Sequence, residues 1–148
     1  MRTKGASSRI ALPAMRPRHD GGCLNSRQVD LGYKWGGGGL VSTVIDLCSF
    51  ANALLEHRLL SSDWRTKMWS RARLRDGREI SYGLGWGVTR YHGERLISHN
   101  GAQQGSRTSL WILPERGVVI AVLTNYESHD VNKLMNSFAD AWLSAKSL

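Results

Sequence analysis

Apolar positions follow two rhythms along the chain. Val44, Leu47, Cys48, Ala51, Leu54 and Leu55 recur every three or four residues, the spacing of a single helix face. Thr43 precedes this run and Asp46 stands three residues later, so a hydroxyl can cap the first turn while a carboxylate reaches back. The spacing predicts a helix over 43–56. A shorter helix is predicted over 62–69, capped by Ser61 or Ser62, with Trp64 and Met68 on one face. Past residue 80 the rhythm becomes that of strands. Residues 82–88 alternate glycine with large side chains, which reads as a strand whose glycines admit another backbone or a ligand. His92-Gly93 then turns the chain into a strand over 94–99. Two further strands, 107–113 and 117–124, are separated by Pro114-Glu115-Arg116-Gly117, a turn signal. The helical period returns in Val131, Leu134, Met135, Phe138 and Trp142, predicting a helix over 130–145 whose stripe packs on the sheet. Two helices, three or four antiparallel strands and a closing helix make an α+β fold, with an antiparallel β-sheet covered by a C-terminal helix.

Residues 1–25 show neither rhythm. Arg2, Lys4, Arg9, Arg16 and Arg18 precede the first acid, Asp20. We read 1–29 as a basic, disordered N-terminal tail and 30–148 as the domain. The Ser- and Ala-containing, acid-free start has some features of a mitochondrial targeting segment, but Pro13 and Pro17 oppose the amphipathic helix such a segment needs. The 148 residues suit one domain, and 41% hydrophobic content with six tryptophans argues for a buried core.

Charge and cysteines narrow the partners. The net charge of +8 raises nucleic acid as a ligand. The excess is scattered or gathered near the start, so no dedicated nucleic-acid surface is expected. Cys23 and Cys48 form no C-x-x-C or metal pattern. Cys48 is read as a buried free thiol on the apolar face of its helix. His19, His57, His92 and His129 lack metal-ligand spacing, so neither metal nor cofactor is expected. Gly36 to Gly39 lacks the Gly-Lys-Ser/Thr ending of a phosphate loop and reads as a flexible entry to the next helix. The four-arginine segment 71–78, with its Asp76-Gly77 turn, reads as an exposed loop. No apolar run approaches the roughly 20 residues of a membrane span.

The candidate chemistry lies in Leu96-Ile97-Ser98-His99-Asn100-Gly101-Ala102-Gln103-Gln104-Gly105. A polar triplet on a strand, with a glycine allowing close approach, suits a substrate-binding edge. Together with the two following strands, and with the upstream stretch from Asp30 through the glycine cluster to Ser42-Thr43, Asp46-Leu47 and Phe50, it resembles the serine β-lactamase and penicillin-binding-protein family, most of all its mitochondrial branch in animals. The resemblance covers about 30–128 and implies part of a β-lactamase/transpeptidase-like fold, with the two helices belonging to its helical subdomain. It implies a serine hydrolase or peptidase that forms an acyl-enzyme on amide or ester bonds of a small peptide, ester or lactam.

The same resemblance assigns the site. His99 stands where the family's Lys-Thr-Gly or His-Thr-Gly triplet places a residue that shuttles protons and attracts an anionic group, and an imidazole titrates in the range for both. Asn100 departs from the usual Thr or Ser and lacks the compact hydroxyl used on a substrate carboxylate. Gly101 gives clearance, and the Ala102 backbone N–H is the expected second oxyanion donor. Arg107 is a candidate partner for a substrate carboxylate, with a solvated surface arginine as the plainer reading. The family's other two motifs, S-x-x-K and Y-x-N, are absent: no Ser has Lys three positions on and no Tyr has Asn two positions on. Ser98-His99-Asn100 fits S-x-N only by overlapping the triplet. The chain is therefore expected to be catalytically silent alone. A non-catalytic assembly module on the same fold is the alternative, and a basic nucleic-acid binder a more distant one. Residues 118–123 are uncharged and apolar; the resemblance implies a neighbouring strand from the N-terminal part of the domain, and without it, unless residues 1–25 fill the gap, they are expected to offer a sheet edge for self-association.

Overall fold

The computed structural model describes residues 14–26 and 34–145. In chain order these form β1 (Met15–Pro17), β2 (Cys23–Asn25), α1 (Val44–Leu55), α2 (Ser62–Met68), β3 (Gly87–Tyr91), β4 (Glu94–Gln103), β5 (Ser106–Leu113), β6 (Val118–Thr124) and α3 (Val131–Ala145). The last four strands make one antiparallel sheet in the order β3-β4-β5-β6.

Local chemistry sets the helix starts. The Asp46 N–H donates to Thr43 Oγ1 at 3.1 Å, and that hydroxyl donates to Asp46 Oδ2 at 3.0 Å. The carboxylate therefore meets the capping hydroxyl rather than a backbone N–H. Ser61 caps α2 by accepting from the Trp64 N–H. Between β5 and β6, Pro114–Arg116 forms a single 3-10 turn and Gly117 follows at φ 62°, a left-handed conformation that glycine adopts without strain.

Strand alternation divides the core into two. Val88, Ile97, Leu110 and Ile112 meet Ala51 and Leu54 of α1, with Trp69 and Trp86 beside them. On the other face Leu96, Trp111 and Leu113 meet Met135 and Ala139 of α3. Burying each large aliphatic chain contributes about 1.5–3 kcal/mol, so both faces anchor β4 and β5. Only part of each predicted helix stripe is used. Val44, Leu134 and Phe138 remain exposed, and Cys48 is half-buried instead of buried.

Two expectations are corrected. Residues 82–86 are not strand; β3 begins at Gly87. A Cβ on Gly83 would lie 2.5 Å from Met68 O and 2.6 Å from Ser70 O, and Gly85 sits at φ +79°. The Leu84 N–H donates to Met68 O at 3.0 Å. The glycines do admit a second backbone, but through a turn tucked under α2. Secondly, residues 14–26, read as part of a disordered tail, form a hairpin with Met15 paired to Asn25. Polar backbone pairing holds it where an apolar rhythm is lacking. The Met15 N–H donates to Asn125 O at 2.6 Å, and the Glu127 N–H donates to Met15 O at 3.2 Å.

Candidate active site

The triplet lies within β4, which runs four residues beyond its predicted end. β4 and β5 join through Gln104-Gly105, with Gln103 paired to Ser106. The closing pair of a two-residue hairpin exchanges both backbone bonds, and bonded pairs alternate from there. Gln103, Gly101 and His99 thus spend their backbone groups on β5. Those of Asn100 and Ala102 point the opposite way. On that side the ladder with β3 ends at Gly87 and Ser98. Beyond Ser98 no described strand pairs with that edge, and the Ala102 N–H is directed along it, away from β5.

Side chains of the triplet divide between the faces. His99 and Gly101 share the α1 face with Ile97; Asn100, Ala102 and its cross-strand partner Arg107 share the α3 face. His99 is exposed, with its ring 6.5 Å from that of Tyr82. A Cβ on Gly101 would collide with Thr108 Oγ1, so clearance there depends on glycine. Asn100 Oδ1 accepts from Ser109 Oγ at 2.6 Å, and Asn100 Nδ2 donates to Asn132 Oδ1 at 3.3 Å. Ser109 is only 1% exposed, so this bond fixes the strand from below. Arg107 Nη1 donates to Gln103 O at 2.9 Å and Ser106 O at 2.7 Å. Its guanidinium braces the hairpin turn on the face opposite His99.

A cavity of about 270 Å³ lies on that opposite face, beside Asn100, Arg107, His129 and Asp130. Several of its polar groups are already engaged. His129 Nδ1 lies 2.9 Å from Thr124 Oγ1, and Asp130 Oδ1 accepts from the N–H groups of Asn132 and Lys133.

Three supports were not anticipated. Lys34 Nζ donates to Gln103 Oε1, Gln103 Nε2 donates to Gly37 O at 3.4 Å, and a Cβ on Gly38 would collide with the Gln103 amide. The glycine cluster, read as a flexible entry, is packed over the end of the triplet strand. Ser109 and Asn132 complete the anchor of Asn100. At the turn, Gly105 has φ +75°, its N–H donates to Glu127 Oε2 at 2.9 Å, and Ala14 and Ser26 crowd the space of a Cβ. Gln103 and Gly37 are 66 residues apart in the chain, so no local sequence signal announced their contact.

Electrostatic perturbation lies elsewhere. Tyr91 Oη donates to Asp140 Oδ1 at 2.6 Å, and His92 Nε2 is 3.0 Å from the same oxygen. Partial burial and then the Asp140 bond push the Tyr91 phenol up to about 12. The Tyr91 hydroxyl, with a lesser contribution from His92, holds the Asp140 carboxyl below its ordinary value. Among the described residues no cluster of three His, Cys, Asp or Glu could hold a metal ion, and no helix is long and apolar enough to cross a membrane.

Comparison with known proteins fits this geometry. The β-lactamase family model matches residues 3–140, which takes in the hairpin as well as the sheet. The human mitochondrial serine beta-lactamase-like protein LACTB is 28% identical over 148 residues, covering 74% of this chain and 27% of that protein. Its mouse counterpart is 31% identical over 118 residues, covering 62% and 21%. The chain thus spans about a quarter of the length of these relatives. Among solved structures, the octameric penicillin-binding protein homologue from Pyrococcus abyssi superposes with a TM-score of 0.70 at 18% identity, over 94% of this chain and 32% of that one. A D-stereospecific amidohydrolase from Streptomyces gives 0.65 at 21% identity, over 81% and 36%. These two share the fold. An α+β sheet with its His-Asn-Gly strand open along one edge, and a family match across nearly all its residues, place the chain in the β-lactamase family of serine hydrolases.

Proposed function

We propose that this chain supplies the sheet wall of a serine acyl-transfer site acting on amide or ester bonds. The observation that carries the reading is the open edge of β4 beyond Ser98, where the Ala102 N–H is directed outward beside an exposed His99. In this reading the Ala102 N–H stabilises the oxyanion of the tetrahedral intermediate. His99 moves protons and attracts an anionic group on the substrate. Gly101 keeps the strand clear for a small peptide, ester or lactam. Asn100 works from below, through Ser109 and Asn132, and Arg107 holds the hairpin. Neither of those two reaches the His99 face.

The nucleophile and its base are not encoded in these 148 residues, since S-x-x-K and Y-x-N are both missing. A serine without a positioned base is a poor nucleophile, so the wall works only with a partner segment that carries them. That absence also supports a second reading, a non-catalytic assembly module on the same fold. The mitochondrial names of the relatives support a mitochondrial location.

The test offers the chain a chromogenic ester, a cephalosporin and a serine-directed probe. It should give neither turnover nor labelling. Adding a separately made segment of a relative that contains both missing motifs should restore labelling on that segment's serine. Stoichiometric labelling of a serine in the 148 residues, with turnover, would overturn the proposal. Binding of the added segment without any labelling would favour the assembly module.

A further inference from the structure

The face of β4 that carries His99 has a gap in it. His99, Gly101 and Gln103 alternate along this face, and next-but-one residues of a strand lie about 7 Å apart. Gly101, in the middle, has no side chain. The imidazole and the Gln103 side chain therefore bound a notch, with about 14 Å between their backbone positions.

The floor of the notch is Thr108. It is the cross-strand partner of Gly101 on β5 and projects to the same face. Its Oγ1 occupies the space that a Cβ on Gly101 would need. Glycine at 101 is thus a window, bringing the neighbouring strand's hydroxyl within reach of a group lying across β4. Thr108 is half-buried, and among the described residues its hydroxyl has no hydrogen-bond partner. It can donate to a ligand oxygen without giving up a protein bond. Ser109, the next residue, is committed to Asn100 on the other face.

The end wall is the Gln103 amide. Lys34 Nζ donates to its Oε1, and its Nε2 donates to Gly37 O at 3.4 Å. Both ends of the amide are held, so the side chain cannot swing aside and lengthen the notch. Gly38 packs so closely that a Cβ there would collide with the amide. The Gly37 N–H donates to Lys34 O at 2.8 Å, closing this strap into a turn. After the thickness of the two bounding side chains is subtracted, the notch has room for a chain of about four non-hydrogen atoms.

We propose that this notch is the specificity pocket of the acyl-transfer site. Thr108 donates to an oxygen on the substrate's acyl group, and Gln103 stops that group's length. The class it takes is an amide or ester whose acyl part is a short chain carrying an acceptor oxygen. The pocket rests on the catalytic reading above.

Three p-nitrophenyl esters separate the two roles. Methoxyacetate and butyrate match in length and differ by an ether oxygen in place of a methylene; octanoate is a longer chain. They are offered to the chain combined with the motif-bearing segment of a relative. Comparing each variant with wild type cancels the esters' own reactivity. Thr108→Val should lower the methoxyacetate-to-butyrate ratio of kcat/KM about tenfold, and Thr108→Ser should restore it. Gln103→Ala should raise the octanoate-to-butyrate ratio about tenfold. On the chain alone, Gln103→Ala should speed amide exchange at Gly37, whose strap loses its clasp, while Ile97 and Ile112 stay protected. Unchanged ratios in an assembly that turns over would overturn the pocket and leave the catalytic reading standing. Unchanged exchange at Gly37 would show that Gln103 is not a held wall. An assembly silent toward all three esters would sink the catalytic reading, and the pocket with it.

Discussion

Two edges of the described sheet, β4 past Ser98 and β6, differ in what flanks them. Along β4 past Ser98 the edge is short and polar, with His99 on one face and the Asn100–Ser109 bond on the other. Along β6 the edge is seven residues long and apolar on both faces. Along both, the alternation of the ladder directs backbone groups outward. On β4 they lie beside an imidazole and a glycine, which suits a small polarised group. On β6 they lie among Val, Ile and Leu, which suits another strand. An unpaired strand edge is therefore not a function in itself; the side chains flanking it decide what it takes.

That contrast can be broken at either end. The largest effect is expected at His99. In a completed, active form, His99→Ala should lower kcat about a hundredfold and leave thermal unfolding unchanged. If His99→Ala leaves turnover intact, the imidazole is an ordinary strand residue and the contrast collapses.

A smaller effect is expected where the β4 edge is kept open. β3 starts late because the turn at 82–86 is held under the carbonyls of Met68 and Ser70. Gly83→Ala pushes a methyl into two backbone oxygens and should destabilise by about 1–3 kcal/mol, measured by urea unfolding. Gly117→Ala also meets strain at a positive φ but has open space around its Cβ, so it should cost less. Equal losses would show that close approach at Gly83 is not what sets the strand's start.

Ser109→Ala tests the support below the triplet. It leaves Asn100 Oδ1 without its 2.6 Å donor, a loss of about 1 kcal/mol because that amide is partly solvated. In an active form, KM should rise more than kcat falls, since the change moves the wall and removes no reacting group.

The smallest effect is a pH dependence at the β3–β4 turn. The Asp140 carboxyl is held low, so its contribution is complete above the ordinary carboxylate value of 3.8 and is lost as pH falls through the lowered one. The Tyr91 phenol is raised, so its contribution is complete below 10.0 and is lost as pH rises through about 12. The contribution of this pair should be flat between those limits. Asp140→Asn should shrink the acid limb, to which the lowered Asp76 also contributes, and Tyr91→Phe the alkaline one, both read from thermal unfolding against pH.

Much of this could be seen in the residues. The period of Leu47, Ala51 and Leu54 located α1, and Pro114 with Gly117 located the turn before β6. The triplet was found because histidine, asparagine and glycine interrupt an apolar run. The strand over 82–88 was misread because alternating glycine and large residues satisfy a period of two, while the turn is set by carbonyls of Met68 and Ser70 more than ten residues earlier. The hairpin over 14–26 was missed because backbone pairing leaves no apolar period to read.

The sequence by itself determined the three helices, the strands from β4 onward, the triplet and the absence of a nucleophile motif. Those follow from local spacing and residue type, which need no partner. Only the tertiary structure decided that His99 and Arg107 face opposite ways, that Gln103 is clasped by Lys34 and Gly37, and that Met15 closes the end of β6. The reason is register. Once the two-residue turn at Gln104-Gly105 fixes the pairing of β4 with β5, every side chain and every backbone bond along both strands is assigned a side, and one residue's slip would have reversed them all.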